Sequence, residues 1–200
     1  MRRLILATRN QGKVQELKKM LADYNVEVVG LDQYPDCPEV EEDRETFEGN
    51  AIKKAQTICD FLQIPALADD SGLEVDAMGG QPGVYSARFA GPNATDKENN
   101  DKLLKMLEDI PTGNRKARFR CVLALAVPHR PVLTWEGSCE GEIGSNPKGT
   151  GGFGYDPLFV LPDQGKTMAE LTKEEKSQIS HRGNAMKKML ADMKELILES

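Results

Sequence analysis

From its first residues to its last, this chain alternates short apolar runs with segments whose apolar residues recur every three or four positions. The runs Leu4–Ala7, Val26–Val29, Pro65–Ala68, Phe119–Val127, Val132–Trp135 and Leu158–Leu161 have the length of strands. Between them, Val14, Leu17 and Leu21 mark one helix, and Phe47, Ala51, Ile58, Phe61 and Leu62 mark a second over Thr46–Leu62. Thr95-Asp96-Lys97-Glu98 has capping-box spacing and starts a third through Leu103, Leu104 and Leu107. A last amphipathic helix carries Met186, Met189, Leu190, Met193, Leu196 and Ile197. No Ser- or Gly-rich linker and no repeat interrupts this order, so the pattern predicts a single α/β domain over residues 1–200.

Composition narrows the function classes. With 39% hydrophobic and 29% charged residues the chain is neither disordered nor fibrous. A net charge of −6 argues against a broad grip on nucleic acid, which needs a basic face. The apolar start, Leu4 to Ala7, ends at Arg9, Asn10 and Lys13 and resembles neither a full signal peptide nor the roughly 18 apolar residues of a membrane helix. The expectation is a cytoplasmic protein. Cys37, Cys59, Cys121 and Cys139 have no metal-ligand spacing, and Cys59 and Cys121 sit in apolar patterns.

Four places carry residue types suited to phosphate chemistry. Asp69-Asp70-Ser71-Gly72 follows a strand; its carboxylates either face a ligand crevice, where they suit Mg²⁺, or simply cap a turn. Glu41 or Glu42 could join them from an acidic loop, or that loop is merely solvated. Thr8-Arg9-Asn10-Gln11-Gly12-Lys13 is a polar turn between a strand and a helix. It is either an anion site or an ordinary helix start, and it is no Walker A loop. Gly149-Thr150-Gly151-Gly152-Phe153-Gly154-Tyr155-Asp156-Pro157 is costly in chain entropy unless the backbone bends sharply or approaches a ligand; the alternative is a mobile hairpin. Lys176 and Ser180-His181-Arg182, placed before the last helix, offer donors to phosphate or to a purine edge, or only a helix-start contact.

In this order, T-R-N-Q-G-K at 8–13, A-D-D-S-G-L at 68–73, P-G-V-Y-S-A-R at 82–88, G-T-G-G-F-G-Y-D-P at 149–157 and S-H-R at 180–182 closely resemble the inosine triphosphate pyrophosphatase family. The resemblance implies a two-lobed α/β fold around a long, twisted mixed sheet, an active cleft between the lobes, and a homodimer. It implies hydrolysis of inosine, deoxyinosine and xanthosine triphosphates to the monophosphate and pyrophosphate, which clears them from the nucleotide pool. By matching motif, the 8–13 turn with Thr8, Asn10 and Lys13 would hold the triphosphate, and Asp70, assisted by Glu41, would hold Mg²⁺. Asp70 would also be the base for the attacking water, with Asp69 in support. Ser71 would touch substrate and Phe153 would stack on the base. Asp156, Lys176, His181 and Arg182 would read its edge, with Gly154 and Tyr155 in the same loop.

Overall fold

The computed structural model describes residues 2–198, without the side chains of Arg2, Glu16 and residues 193–198. Along the chain run β1 (Arg2–Leu6), α1 (Gln11–Met20), β2 (Val26–Gly30), α2 (Phe47–Leu62), β3 (Ala66–Val75), α3 (Asp96–Met106), β4 (Lys116–Ala126), β5 (Leu133–Ile143), β6 (Phe159–Leu161), β7 (Lys166–Thr167), α4 (Lys173–Ile179) and α5 (His181–Leu198). The strands form one mixed seven-stranded sheet in the order β2-β1-β3-β4-β5-β6-β7, and the sheet is α/β in class as the alternation predicts. The chain divides into two compact units, Met1–Asp70 with Val122–Trp135, and Ser71–Cys121 with Glu136–Ser200.

In the first unit β1 is parallel to β2, Leu4 opposite Val28, and to β3, Leu6 opposite Leu67. The connection from β1 to β2 leaves on one side of β1, and the connection from β2 to β3 returns on its other side. With the right-handed crossover that such units adopt, α1 and α2 lie on opposite faces of these strands. Each helix start is capped by its own sequence: Asn10 accepts from Gly12 N and Lys13 N, and Thr46 accepts from Gly49 N. Val14 and Leu17 of α1, Leu21 at its C-cap, and Ala51, Ala55 and Ile58 of α2 are buried, whereas Phe61, on the apolar face by its spacing, is 53% exposed.

In the second unit α3 begins with the expected capping box, Thr95 with Glu98, and α4 with another, Thr172 with Glu175. The core joins Leu73, Leu103, Leu107, Phe119, Phe159 and Met168. β5 is antiparallel to β6, Ile143 opposite Phe159, and β6 to β7, Val160 opposite Thr167. Arg118 and Arg120 of β4 bridge carboxylates to either side: Glu74 and Asp76 of β3, and Glu136 and Glu140 of β5.

Several boundaries differ from the sequence-based expectation. Asp69-Asp70-Ser71-Gly72 is not a turn; β3 runs straight through it to Val75, because its polar side chains find partners and strand pairing overrides local turn propensity. β5 extends to Ile143 rather than ending at Trp135, with Trp135, Gly137, Cys139, Gly141 and Ile143 all buried at alternate positions. Two of those inward residues are glycines. A Cβ on Gly137 would collide with the His181 carbonyl and the Ala185 amide, so its absence lets α5 lie against the strand. His181 and Arg182 therefore open α5 instead of preceding it, and Lys176 stands on α4. On α5, Met186 and Met189 are buried; the side chains of Met193, Leu196 and Ile197 lie outside the described residues.

Candidate active site

The candidate residues of the first unit gather beyond the carboxyl end of β1, where the chain order reverses between β1 and β3. Such a switch point is where α/β sheets bind ligands. The turn after β1 is built by its own side chains: Thr8 Oγ1 accepts from Asn10 N at 3.2 Å, and Asn10 Oδ1 accepts from Gly12 N at 2.9 Å and Lys13 N at 3.3 Å. Arg9 donates to the Leu31 carbonyl at 3.2 Å, while Gln11 and Gly12 are exposed at the start of α1. Asn10 thus caps the helix start, and Lys13 brings an ammonium to the same turn.

Lys13 is held from β3. Its ammonium donates to both oxygens of Asp69, at 3.0 and 2.8 Å, and Asp69 is 9% exposed. Asp70 points elsewhere. Its Oδ2 accepts from Asn50 Nδ2 at 3.0 Å, and Lys54 Nζ stands 3.8 Å from its Oδ1, both partners on α2. Neighbouring residues of an extended strand face opposite sides, and here Asp69 faces α1 while Asp70 faces α2. Asp69 thus holds the Lys13 ammonium, and Asp70 is held from α2.

Asn50 and Lys54 were not among the sequence candidates. Asn50 is fully buried in an apolar helix face, and that was the available signal: a buried amide needs partners. Its Oδ1 accepts from Arg44 N at 2.9 Å, which turns its Nδ2 toward Asp70. Lys54, one turn on, donates to Glu42 Oε1 at 2.5 Å and to the Asp69 carbonyl at 2.6 Å. The Glu41 side chain is exposed, and its carbonyl accepts from Lys53 at 2.9 Å. Among the described residues no group of three or more His, Cys, Asp or Glu is placed to hold a metal.

The second unit brings together the glycine-rich segment, α4 and the start of α5. Phe153 is 62% exposed, and its N–H donates to Asp156 Oδ2 at 2.9 Å. Asp156 is buried and pairs with Lys176, whose ammonium stands 4.8 Å from the Phe153 ring centroid. Gly152, at φ +74°, leaves room for the Asp156 carboxylate where a Cβ would collide with it. His181 is buried and stacks on Phe119 at 5.0 Å, and Arg182 reaches Ser71 Oγ at 3.5 Å. Tyr155 is buried, its hydroxyl donating to the Ser86 carbonyl at 2.8 Å; what it offers a ligand is backbone. Burial, with the Asp96 charge adding to it, pushes that phenol well above its ordinary range.

A helix N-terminus with a lysine, set beside a buried carboxylate at the switch point of an α/β sheet, is the layout of a phosphate-binding α/β protein. A profile of the Ham1 family matches residues 4–192, and the chain belongs to that family. It is similar to the dITP/XTP pyrophosphatase of Desulforamulus reducens, 54% identical over 196 residues covering 98% of each chain. It is also similar to that of Geobacter sulfurreducens, 52% identical over 93% of this chain and 94% of that one. Among solved structures, the Ham1 protein of Coxiella burnetii superposes with a TM-score of 0.92 at 41% identity, covering 98% of this chain and 100% of that one. The Ham1 protein of Staphylococcus aureus gives 0.90 at 41% identity, over 96% and 98%. No helix among the described residues is long and apolar enough to cross a membrane.

Proposed function

We propose that this protein hydrolyses purine nucleoside triphosphates carrying an altered base, those of inosine, deoxyinosine and xanthosine, to the monophosphate and pyrophosphate. The observation that carries this reading is the Lys13–Asp69 pair, with Lys13 Nζ 2.8 Å from Asp69 Oδ2, at the start of α1, next along β3 to the separately held Asp70. A fixed cation and a fixed base are the two things attack of water on a phosphoryl group asks of a protein.

In the first unit the turn 8–13 receives the triphosphate, with the Thr8 hydroxyl, the Asn10 side-chain N–H and Lys13 on its oxygens. Asp70 accepts a proton from water as that oxygen bonds to the α-phosphorus. The bond from the α-phosphorus to the bridging oxygen breaks, and pyrophosphate leaves with the electron pair. Lys13 neutralises charge that grows on the phosphate oxygens in this step. Asn50 keeps the second face of Asp70 from turning away, and Asp69 keeps Lys13 extended.

Asp70, with Glu41 or Glu42 from the acidic loop, would offer hard oxygen ligands to Mg²⁺, an ion that commonly uses one or two carboxylates together with substrate phosphates and water. Bound there, Mg²⁺ would draw charge from the phosphate oxygens.

In the second unit Phe153 stacks on the base, and Ser71, Asp156, Lys176, His181 and Arg182 stand at its edge. Hypoxanthine and xanthine present an acceptor at the 6-position where adenine presents an amino donor. Donors such as Arg182 would then face a donor, at a cost of about 1–3 kcal/mol for each group left unsatisfied. Arg182→Ala is expected to shrink the kcat/KM ratio of inosine over adenosine triphosphate about 5- to 100-fold; an unchanged ratio would remove Arg182 from base selection.

The direct test is product analysis with inosine and adenosine triphosphates, with and without Mg²⁺. Metal-dependent pyrophosphate release from the first supports the reading; orthophosphate release, or binding without turnover, rejects it. The nucleotide pool sets the expected location, the cytoplasm. A homodimer is proposed on family likeness, and sedimentation at the mass of a single chain would refute it.

A further inference from the structure

We infer that Asp96 and Asn100 of α3 are positioning residues that clamp the Gly154 peptide and so hold Phe153 as a fixed platform; this rests on the reading of Phe153 as the base-stacking ring. An aromatic ring 62% exposed on a segment containing Gly149, Gly151, Gly152 and Gly154 has little of its own to fix it. A ligand that had to order such a loop would bind correspondingly more weakly. α3 removes that freedom. Asp96 Oδ2 accepts from Gly154 N at 2.7 Å, and Asn100 Nδ2 donates to the Gly154 carbonyl at 2.9 Å. Spaced by four, the two side chains project from one face of the helix and take both polar groups of a single residue.

Gly154 has no side chain to pack: it sits at φ +60° with nothing within 4 Å of where a Cβ would be, between the exposed Phe153 and the buried Tyr155. One residue earlier, the Phe153 N–H is held by Asp156 at 2.9 Å, so two successive amides each face a carboxylate. Neither α3 residue is part of the capping box. Capping is completed by Thr95 and Glu98, with Thr95 N donating to Glu98 Oε2 at 2.7 Å. Asn100 Oδ1 is buried without a hydrogen-bond partner among the described residues, a poor bargain for a helix position unless the other end of the amide is used. The neighbouring Asn99 does different work, binding the Ala90 N–H at 2.8 Å and the Ala87 carbonyl at 3.2 Å.

Steady-state kinetics with inosine triphosphate test the clamp in the full-length protein. Asp96→Ala and Asn100→Ala are each expected to raise KM about 3- to 10-fold with kcat within about twofold. Asp96→Asn keeps an acceptor and is expected to stay near the wild-type KM. The decisive arm is the cycle with Phe153→Ala: once the ring is gone, adding Asp96→Ala should change KM by less than about twofold. If Phe153→Ala raises KM while Asp96→Ala and Asn100→Ala do not, or if the Asp96 effect is equally large in both backgrounds, the clamp is overturned and the stacking role stands. If Phe153→Ala itself leaves KM unchanged, the stacking role fails first and takes the clamp's purpose with it. Thermal melts check that α3 persists in each variant.

Discussion

The two groups of candidate residues are held in different ways. In the first unit the two aspartates are held by charge and one amide: Lys13 stands on Asp69 at 2.8 Å, Lys54 stands 3.8 Å from Asp70 and 2.5 Å from Glu42, and Asn50 donates to Asp70. In the second unit the glycine-rich segment, apart from the Lys176–Asp156 pair, is held by hydrogen bonds to backbone, at Phe153 N, Gly154 N, Gly154 O and the Ser86 carbonyl. Charge-fixed groups suit a step whose barrier depends on where cation and base stand. A backbone-pinned ring suits recognition of a flat ligand, which gains area from an exposed aromatic face. Changes in the first unit should therefore fall on kcat, and changes in the second on KM and selectivity.

The strongest way to break that division is Asp70→Asn. An Asn can still accept from Asn50, so the fold should hold, while loss of the base should lower kcat about 10²- to 10⁴-fold with little change in KM. A kcat near wild type would take Asp70 out of the chemistry. Lys13→Met comes next, with an expected drop in kcat/KM of about 10²- to 10³-fold, the scale for losing one charge-stabilising donor. It should also destabilise the fold by about 1–3 kcal/mol, since Asp69, whose side chain is 7% exposed, loses its ammonium. A denaturation midpoint unmoved by Lys13→Met would show that the pair orders nothing.

Phe153→Ala sharpens the contrast from the other side. Stacking on a base contributes about 1–3 kcal/mol, so KM for inosine triphosphate should rise about 5- to 100-fold while kcat holds. A ring 62% exposed adds little to the core, and stability should stay within about 0.5 kcal/mol. A fall in kcat as large as that of Asp70→Asn would erase the distinction between the groups.

What could be read without coordinates follows the same physical line. Local signals were legible: the Thr95/Glu98 box, the Asn10 turn and the helix periods of Val14, Leu17 and Leu21 all act within one or two turns of chain. Where partners far along the chain decide, propensity misled. Asp69-Asp70-Ser71-Gly72 has turn composition, yet Lys13 and Asn50, 56 and 20 residues away, stabilise it as strand. The polar tail of β5 hid a period-two pattern, because two of its inward residues are glycines chosen for close approach of Phe159 and α5. Asn50, Lys54, Asp96 and Asn100 were missed for a related reason: each acts by positioning another group, and single-sequence motifs mark the groups positioned.

The gentlest test of the comparison is alkaline pH, which should reach the second unit through its buried neutral groups. Burial pushes the Cys139 thiol up to about 11 from an ordinary 9, with the neighbouring Glu140 charge adding to it. Above pH 9 the thiol ionises in the unfolded chain but not in the folded one, so stability present below pH 9 is lost progressively as pH rises toward 11. Tyr155, also raised by burial, extends the loss to higher pH. The measurement is the shift in urea midpoint between pH 7.5 and pH 10.5 for the wild type and for Cys139→Ala. The variant starts lower, because a buried side chain is trimmed, but should lose less between the two pH values. Some loss remains in it, since Cys37 and Cys59 of the first unit are likewise raised by burial. An equal loss in both proteins would mean that the Cys139 thiol meets water in the folded state, and that this part of the second unit is not closed around its neutral groups.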